Sequence, residues 1–278
     1  MQIKFVCPYW GWRGDSAVEF ISQVVSAGYH GIEIDIPEEK KFETELLSEI
    51  AKLKSDPGSF IFVAQQWLPP AAESFEDYKK RFIEKLNRLI SFRPGFINSH
   101  TGKDFFSFDQ NCELIETAMN ISSKSGILIL HETHRGRFSF HLPQTLIYLK
   151  KFPDLQLVAD FSHWCTVSES LLEDQEEALK LVIPHCAHIH ARIGHEHSPQ
   201  VNDFRAPEWK NHVEKFFGWW QIILDHHKAK KQFTISPEFG PVSYMPTEPF
   251  TQKPLSNQWE ENIAMMQLVK SRMKEFVT

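Results

Sequence analysis

Eight short apolar runs recur along the chain at steps of roughly 30 residues, and segments with helical spacing separate them. No linker-like stretch breaks the alternation, so the sequence predicts one domain over residues 1–278, an α/β fold built as a single (β/α)8 TIM barrel. Parallel strands need crossover helices, which is why the alternation points to a parallel sheet. An open doubly wound sheet is the rival architecture. It usually leads with a glycine-rich phosphate turn, and the first turn here, "PYWGWRGDS", lacks that spacing.

The expected strands are, in order, "IKFVC" (3–7), "GIEIDI" (31–36), "SFIFVAQ" (59–65) and "GFINSH" (95–100). They continue with "ILILHE" (127–132), "LQLVAD" (155–160), "AHIHARI" (187–193) and "FTISPE" (233–238). Between the first two, Ala17, Phe20, Ile21, Val24 and Val25 mark one face of a helix over 15–28, with Asp15 placed to cap its start and Gly28 its end. Over 74–92, Phe75, Tyr78, Phe82, Leu86, Leu89 and Ile90 do the same behind a capping-box-like Ser74 and Asp77.

Composition narrows the class. An apolar content of 42% fills a sizeable core, and no stretch approaches the eighteen or so apolar residues of a membrane span. The opening "MQIKFVCPYWGW" has no apolar targeting segment or small-residue cleavage site. Cys7, Cys112, Cys165 and Cys186 are scattered without a CxxC, so they are expected as reduced core thiols and the location as cytoplasmic. A net charge of −6 without basic clusters argues against a nucleic-acid or anionic-membrane surface. A homo-oligomer remains compatible with the sequence. Fourteen His and eight Trp stand out.

In this architecture the active site lies at the C-terminal strand ends. Strands five to eight end "LHETH", "VADFSH", "AHIHAR" and "SPEFG", and so offer Glu132, Asp160, His190 and Glu238 at one rim. Any one of them alone reads as a helix N-cap or loop carboxylate. Together, three carboxylates and an imidazole repel unless a cation sits among them. Such a set suits one divalent ion, Mn²⁺, Mg²⁺, Co²⁺ or Zn²⁺, and spacing does not choose among them. On that reading Asp160 is a metal ligand and His163 leans over the site from a loop.

These motifs, with "GYHGIEID" after the first helix, resemble the xylose-isomerase-like barrels, a superfamily of sugar isomerases, ketose 3-epimerases, inosose dehydratases and the endonuclease IV repair enzymes. The resemblance spans nearly the whole chain. It implies that Glu132 and Glu238 bind the metal and also move protons, that Asp160 and His190 complete the ligands, and that His163 contacts substrate. His188 faces the same interior as His190 and is expected as a hydrogen-bonded packing residue. His100 is poised between substrate contact and support of a ligand. His134, Arg135 and Arg137 grip substrate hydroxyls or belong to a solvated turn, and Arg192 is a candidate substrate contact. Glu33 is an inner acid or part of the mouth, and His195 and His197 are expected at the surface. Trp10, Trp67 and Trp164 lie just past strand ends, where they pack loops or present a face to a sugar. Two long segments, 192–209 and 240–259, are expected as lids.

The expected reaction is metal-dependent isomerisation or epimerisation of an unphosphorylated sugar or polyol ketone. The runner-up is dehydration of a cyclic ketopolyol. A three-zinc nuclease needs a further His on strand three and an Asp-x-His in the strand-seven loop. The chain has Gln65, Gln66 and Asp203–Arg205 there. A non-catalytic sugar-binding barrel has no need of two metal-binding glutamates.

Overall fold

The computed structural model describes residues 1–14, 16–53 and 60–276, so Asp15 and Ser59, named above, lie outside the described residues. All eight expected strands form. They are β1 (Gln2–Pro8), β2 (Gly31–Ile34), β3 (Ile61–Gln66), β4 (Phe96–Ser99), β5 (Leu128–Glu132), β6 (Leu157–Ala159), β7 (Cys186–Ala191) and β8 (Gln232–Pro237). They close into a parallel barrel in the order β1 to β8. The chain is a (β/α)8 TIM barrel.

By internal contacts the chain resolves into two compact units. The first comprises Met1–Phe5, Thr133–Arg135 and Ser139–Thr278. Within it β6, β7 and β8 pair side by side, and the start of β1 lies on β8 with Ile3 opposite Phe233. Its helices are α5 (Leu142–Lys151), α6 (Phe161–Ser168), α7 (Glu176–Val182), α8 (Lys210–His226) and α9 (Gln258–Arg272). Helix α8 buries Val213, Phe216, Phe217, Trp220, Ile223 and Leu224, a stripe at helical spacing.

The second unit comprises Val6–Glu132 and Gly136–Phe138. It pairs the end of β1 with β2, β2 with β3, β3 with β4 and β4 with β5. Its helices are α1 (Ala17–Ser26), α2 (Lys40–Leu53), α3 (Phe75–Ser91) and α4 (Phe108–Ser125). Gly31 is required at the β2–β3 contact, because a Cβ there would stand 2.1 Å from the Ile61 carbonyl oxygen.

Local chemistry explains the helix ends. In α1 the cap is Ser16, whose hydroxyl accepts from the Glu19 N–H, and Gly28 takes a positive φ of 81° just beyond the helix. Val25, expected on the buried face, is 45% exposed, because the apolar stripe is satisfied by Ala17, Phe20, Ile21 and Val24. In α3 the Ser74 hydroxyl accepts from the Asp77 N–H and donates to the Asp77 carboxylate at 2.7 Å. All four thiols are buried and free, and burial raises those of Cys7, Cys165 and Cys186. No described helix is long and apolar enough to cross a membrane.

Candidate metal and substrate site

In the first unit the site is assembled from the ends of β6, β7 and β8. Asp160 follows β6 directly and is the N-cap of α6. Its Oδ1 accepts from the Ser162 N–H at 3.1 Å and the Ser162 hydroxyl at 2.5 Å, while its own N–H donates to Thr133 Oγ1 at 2.8 Å. The segment after β6 was expected to open as a loop and is instead a helix. The cap turns the chain at once, and His163 and Trp164 fall in the first turn. The modest reading of Asp160 as a helix cap and the functional one are both available, since one oxygen caps while Oδ2 faces the rim.

That second oxygen meets the guanidinium of Arg192, which follows β7, and His163 Nε2 stands 3.7 Å from it. Arg192 Nη2 lies 2.9 Å from His163 Nε2. A guanidinium only donates, so Nε2 is the lone-pair nitrogen of His163. Arg192 Nη1 reaches Glu238 Oε2 at 3.7 Å, and His190 Nδ1 reaches the same oxygen at 2.8 Å. Asp160, His190, Arg192 and Glu238 are all at most 3% exposed. Ligand atoms of Asp160, His190 and Glu238 lie within 4.8 Å of one another.

Those separations fit a divalent ion. With bonds of roughly 2.0–2.6 Å, ligands on opposite sides of an ion stand about 4–5 Å apart and adjacent ones about 3 Å. The 2.8 Å between His190 and Glu238 has the adjacent spacing. Two carboxylates and an imidazole form an oxygen-rich donor set suited to such an ion. His188, also on β7, is tied by Nδ1 to Thr234 Oγ1 at 2.6 Å and by Nε2 to Ser236 Oγ at 3.3 Å, which is the packing role expected for it.

A loop after β8 supplies a residue the sequence did not mark. The Tyr244 hydroxyl lies 3.4 Å from His134 Nε2, and the His134 ring is centred 3.8 Å from that of His163. His134 Nδ1 donates to the Arg135 carbonyl at 2.5 Å, leaving Nε2 to accept from Tyr244. The two expected lid segments are tied together. Gln200 accepts from the Gly240 N–H at 2.6 Å, and the Ser256 hydroxyl donates to the Asn202 carbonyl at 2.6 Å. His195 stacks on Trp209 at 5.1 Å, away from the strand ends, and His197 is exposed.

In the second unit Glu132 ends β5, buried to 2%. Its Oε2 accepts from the Asn98 amide at 2.7 Å, and His100 Nε2 stands 2.8 Å from it. The same amide donates to Glu33 at 2.8 Å, so Asn98 holds two buried carboxylates with one NH₂ group. His100 therefore supports Glu132. Asn98 was not singled out in the sequence, although it sits two residues before His100 and so shares its strand face.

Behind Glu132 runs a buried polar chain. The Ser99 hydroxyl donates to Gln66 Oε1 at 2.7 Å and is 2.7 Å from Thr101 Oγ1, which is 2.7 Å from His131 Nδ1. Burial pushes the His131 imidazole down to about 3. The folded chain thus favours its neutral form. That contribution is complete above the ordinary imidazole value of 6.5 and is lost as pH falls toward 3. By pH 4.5 it should cost roughly 2–3 kcal/mol. His131→Gln should shrink the difference in unfolding free energy between pH 7 and pH 4.5 by about that amount in urea titrations. An unchanged difference would contradict this.

The tryptophans divide. Trp67 is 39% exposed and lines a cleft of about 490 Å³ with Asp35, Pro69 and Lys85. Trp10 is half-buried just past β1. Trp164 is a correction: it is fully buried, stacks on Phe161 at 5.0 Å and 10°, and donates its N–H to the Ser139 carbonyl at 2.7 Å. Its ring belongs to the core. Arg137 is buried as well.

No protein-family model matches the chain, and no curated protein matches it significantly. Solved structures do. The chain superposes on the probable 3-DHS dehydratase AsbF of Bacillus anthracis with TM-score 0.64 and 17% identity, covering 98% of this chain and 100% of that one. The 3-keto-D-glucoside 4-epimerase YcjR of E. coli gives 0.61 and 11%, covering 97% and 100%. Endonuclease IV of Thermus thermophilus gives 0.61 and 13%, covering 99% and 100%. The chain shares the fold of these three proteins. Identities this low carry the fold and leave the reaction to the residues. In the loop after β7, Asp203 is held at 2.8 Å by both Arg205 Nε and Nη2. Arg205 Nη2 also reaches Glu261 at 2.5 Å.

Proposed function

We propose that the protein is a metal-dependent isomerase or epimerase that moves a proton next to the carbonyl of a hydroxylated ketone. One divalent cation would be held by Glu132, Asp160, His190 and Glu238, the residues at the ends of β5, β6, β7 and β8. The observation that carries the reading is the run of strand ends. β5, β6, β7 and β8 are consecutive in the barrel, and each ends at or next to one of these residues.

A cation there supplies positive charge beside the oxygens of a sugar and lowers the cost of the negative charge that develops when the neighbouring C–H is broken. The rest falls to the chain. One of Glu132 and Glu238 would take the proton from the carbon beside the carbonyl, and the other would deliver a proton to the opposite face of that carbon or to the neighbouring carbon. Asn98 fixes the Glu132 carboxylate through its Oε2, with His100 beside it, and His190 stands next to the Glu238 carboxylate. Arg192 would turn its remaining donors to substrate oxygens, anchored on Asp160 and against the His163 lone pair.

Purified protein should carry one divalent ion per chain by elemental analysis, and Asp160→Asn should lose most of it. Saturation at about 1,000 times the dissociation constant should raise the unfolding free energy by roughly 4 kcal/mol. Three zincs per chain, or cleavage of abasic DNA, would move the protein to the nuclease class.

A further inference from the structure

We infer that Arg135 and Tyr244 form an anion clamp beside the site, and that the substrate bears a carboxylate in addition to its hydroxyl groups. This rests on the proposed reading of the site and adds the class of substrate.

Two guanidiniums lie over one ring: the carbon centres of Arg135 and of Arg192 are each 5.0 Å from the Tyr244 centroid. Both positive charges therefore sit within about a Debye length of each other. Arg192 is matched by Asp160 and, at 3.7 Å, by Glu238. Arg135 differs. It is half-buried, and among the described residues its guanidinium makes no ion pair or hydrogen bond. The guanidinium lies on the tyrosine face. A guanidinium laid over a ring keeps its five in-plane donors at its edge, the geometry that takes a carboxylate bidentately.

Position makes this a substrate contact. Arg135 follows His134, which packs on His163 and meets the Tyr244 hydroxyl. Tyr244 is also edge-on to His163 at 6.2 Å. An anion on the edge of Arg135 would thus meet the same group of rings that flank the substrate oxygens.

A carboxylate fits better than a phosphate. Only one positive charge lacks a partner, and the glycines of the neighbouring loops are already engaged. A Cβ at Gly194 would meet Ser162 Cβ at 2.8 Å and the Pro199 carbonyl carbon at 2.9 Å, so that glycine serves close packing. The Gly240 N–H is taken by Gln200. That N–H is therefore not free to hold a phosphate.

The test is calorimetric binding to the cation-saturated protein. Each hydroxylated acid (D-fructuronate, D-glucuronate, quinate) is paired with its neutral counterpart (D-fructose, D-glucose, quinamide), with fructose 6-phosphate and glucose 6-phosphate as the phosphate arm. At least one acid should bind about 10–100-fold more tightly than its neutral partner. Arg135→Gln should erase that preference, Arg135→Lys should restore part of it, and Tyr244→Ala should weaken it. Melting temperature and metal content certify that each variant is folded. The clamp is overturned if no acid outbinds its neutral partner, if the preference survives Arg135→Gln, or if a sugar phosphate outbinds the acids. Since metal content and solvent-proton exchange are read separately, such a failure leaves the proposed reaction standing.

Discussion

Glu132→Gln and Glu238→Gln, measured at saturating cation, should each lower turnover by about 10²–10⁴-fold while the protein stays folded and loaded. A carboxamide keeps the shape and one oxygen ligand but is no base. At Glu132 the oxygen can still accept from Asn98, which stands 2.7 Å from the carboxylate, with His100 beside it at 2.8 Å. At Glu238 it can still meet His190, which stands 2.8 Å from the carboxylate. The losses should therefore appear in proton transfer. Exchange of the substrate's α-proton with D₂O isolates the first such step. Wild-type exchange in both variants would remove both glutamates as bases, and exchange surviving in only one would show which of them begins the reaction. His163→Ala should fall more in apparent affinity than in turnover if its contacts are alike in ground and transition states.

Trp164→Ala should be the most destabilising of these single changes, at roughly 3–5 kcal/mol. The indole is fully buried, lies parallel to Phe161, and gives its N–H to the Ser139 carbonyl. Truncation would open a cavity in the core and leave that carbonyl without its donor. Urea unfolding of metal-free protein checks it. A loss below about 1 kcal/mol together with a large fall in substrate affinity would return Trp164 to the binding site it was first expected to line.

The strands were legible because barrel strands are apolar runs with turn chemistry between them, and the strand ends were legible because carboxylates and imidazoles stand out against such runs. Asp160 shows where that stops. Its helix-capping role is local and its place beside Arg192 is not, and the same residue type serves both. The short helix after it was missed because Asp160 turns the chain with no intervening loop. Trp164 shared a motif with His163 but points to the core, since consecutive helical residues face different ways. Asn98 could have been found from its strand alternation with His100. Tyr244 could not: it lies in an irregular segment, and only the path of that loop brings it against His134 and Arg135.

The most direct measurement is anomalous diffraction from crystals grown with Mn²⁺. One strong peak per chain is expected, bonded to Glu132, Asp160, His190 and Glu238 at roughly 2.0–2.6 Å. A chain with no peak among those four side chains, or with its ion bound elsewhere, would contradict the account.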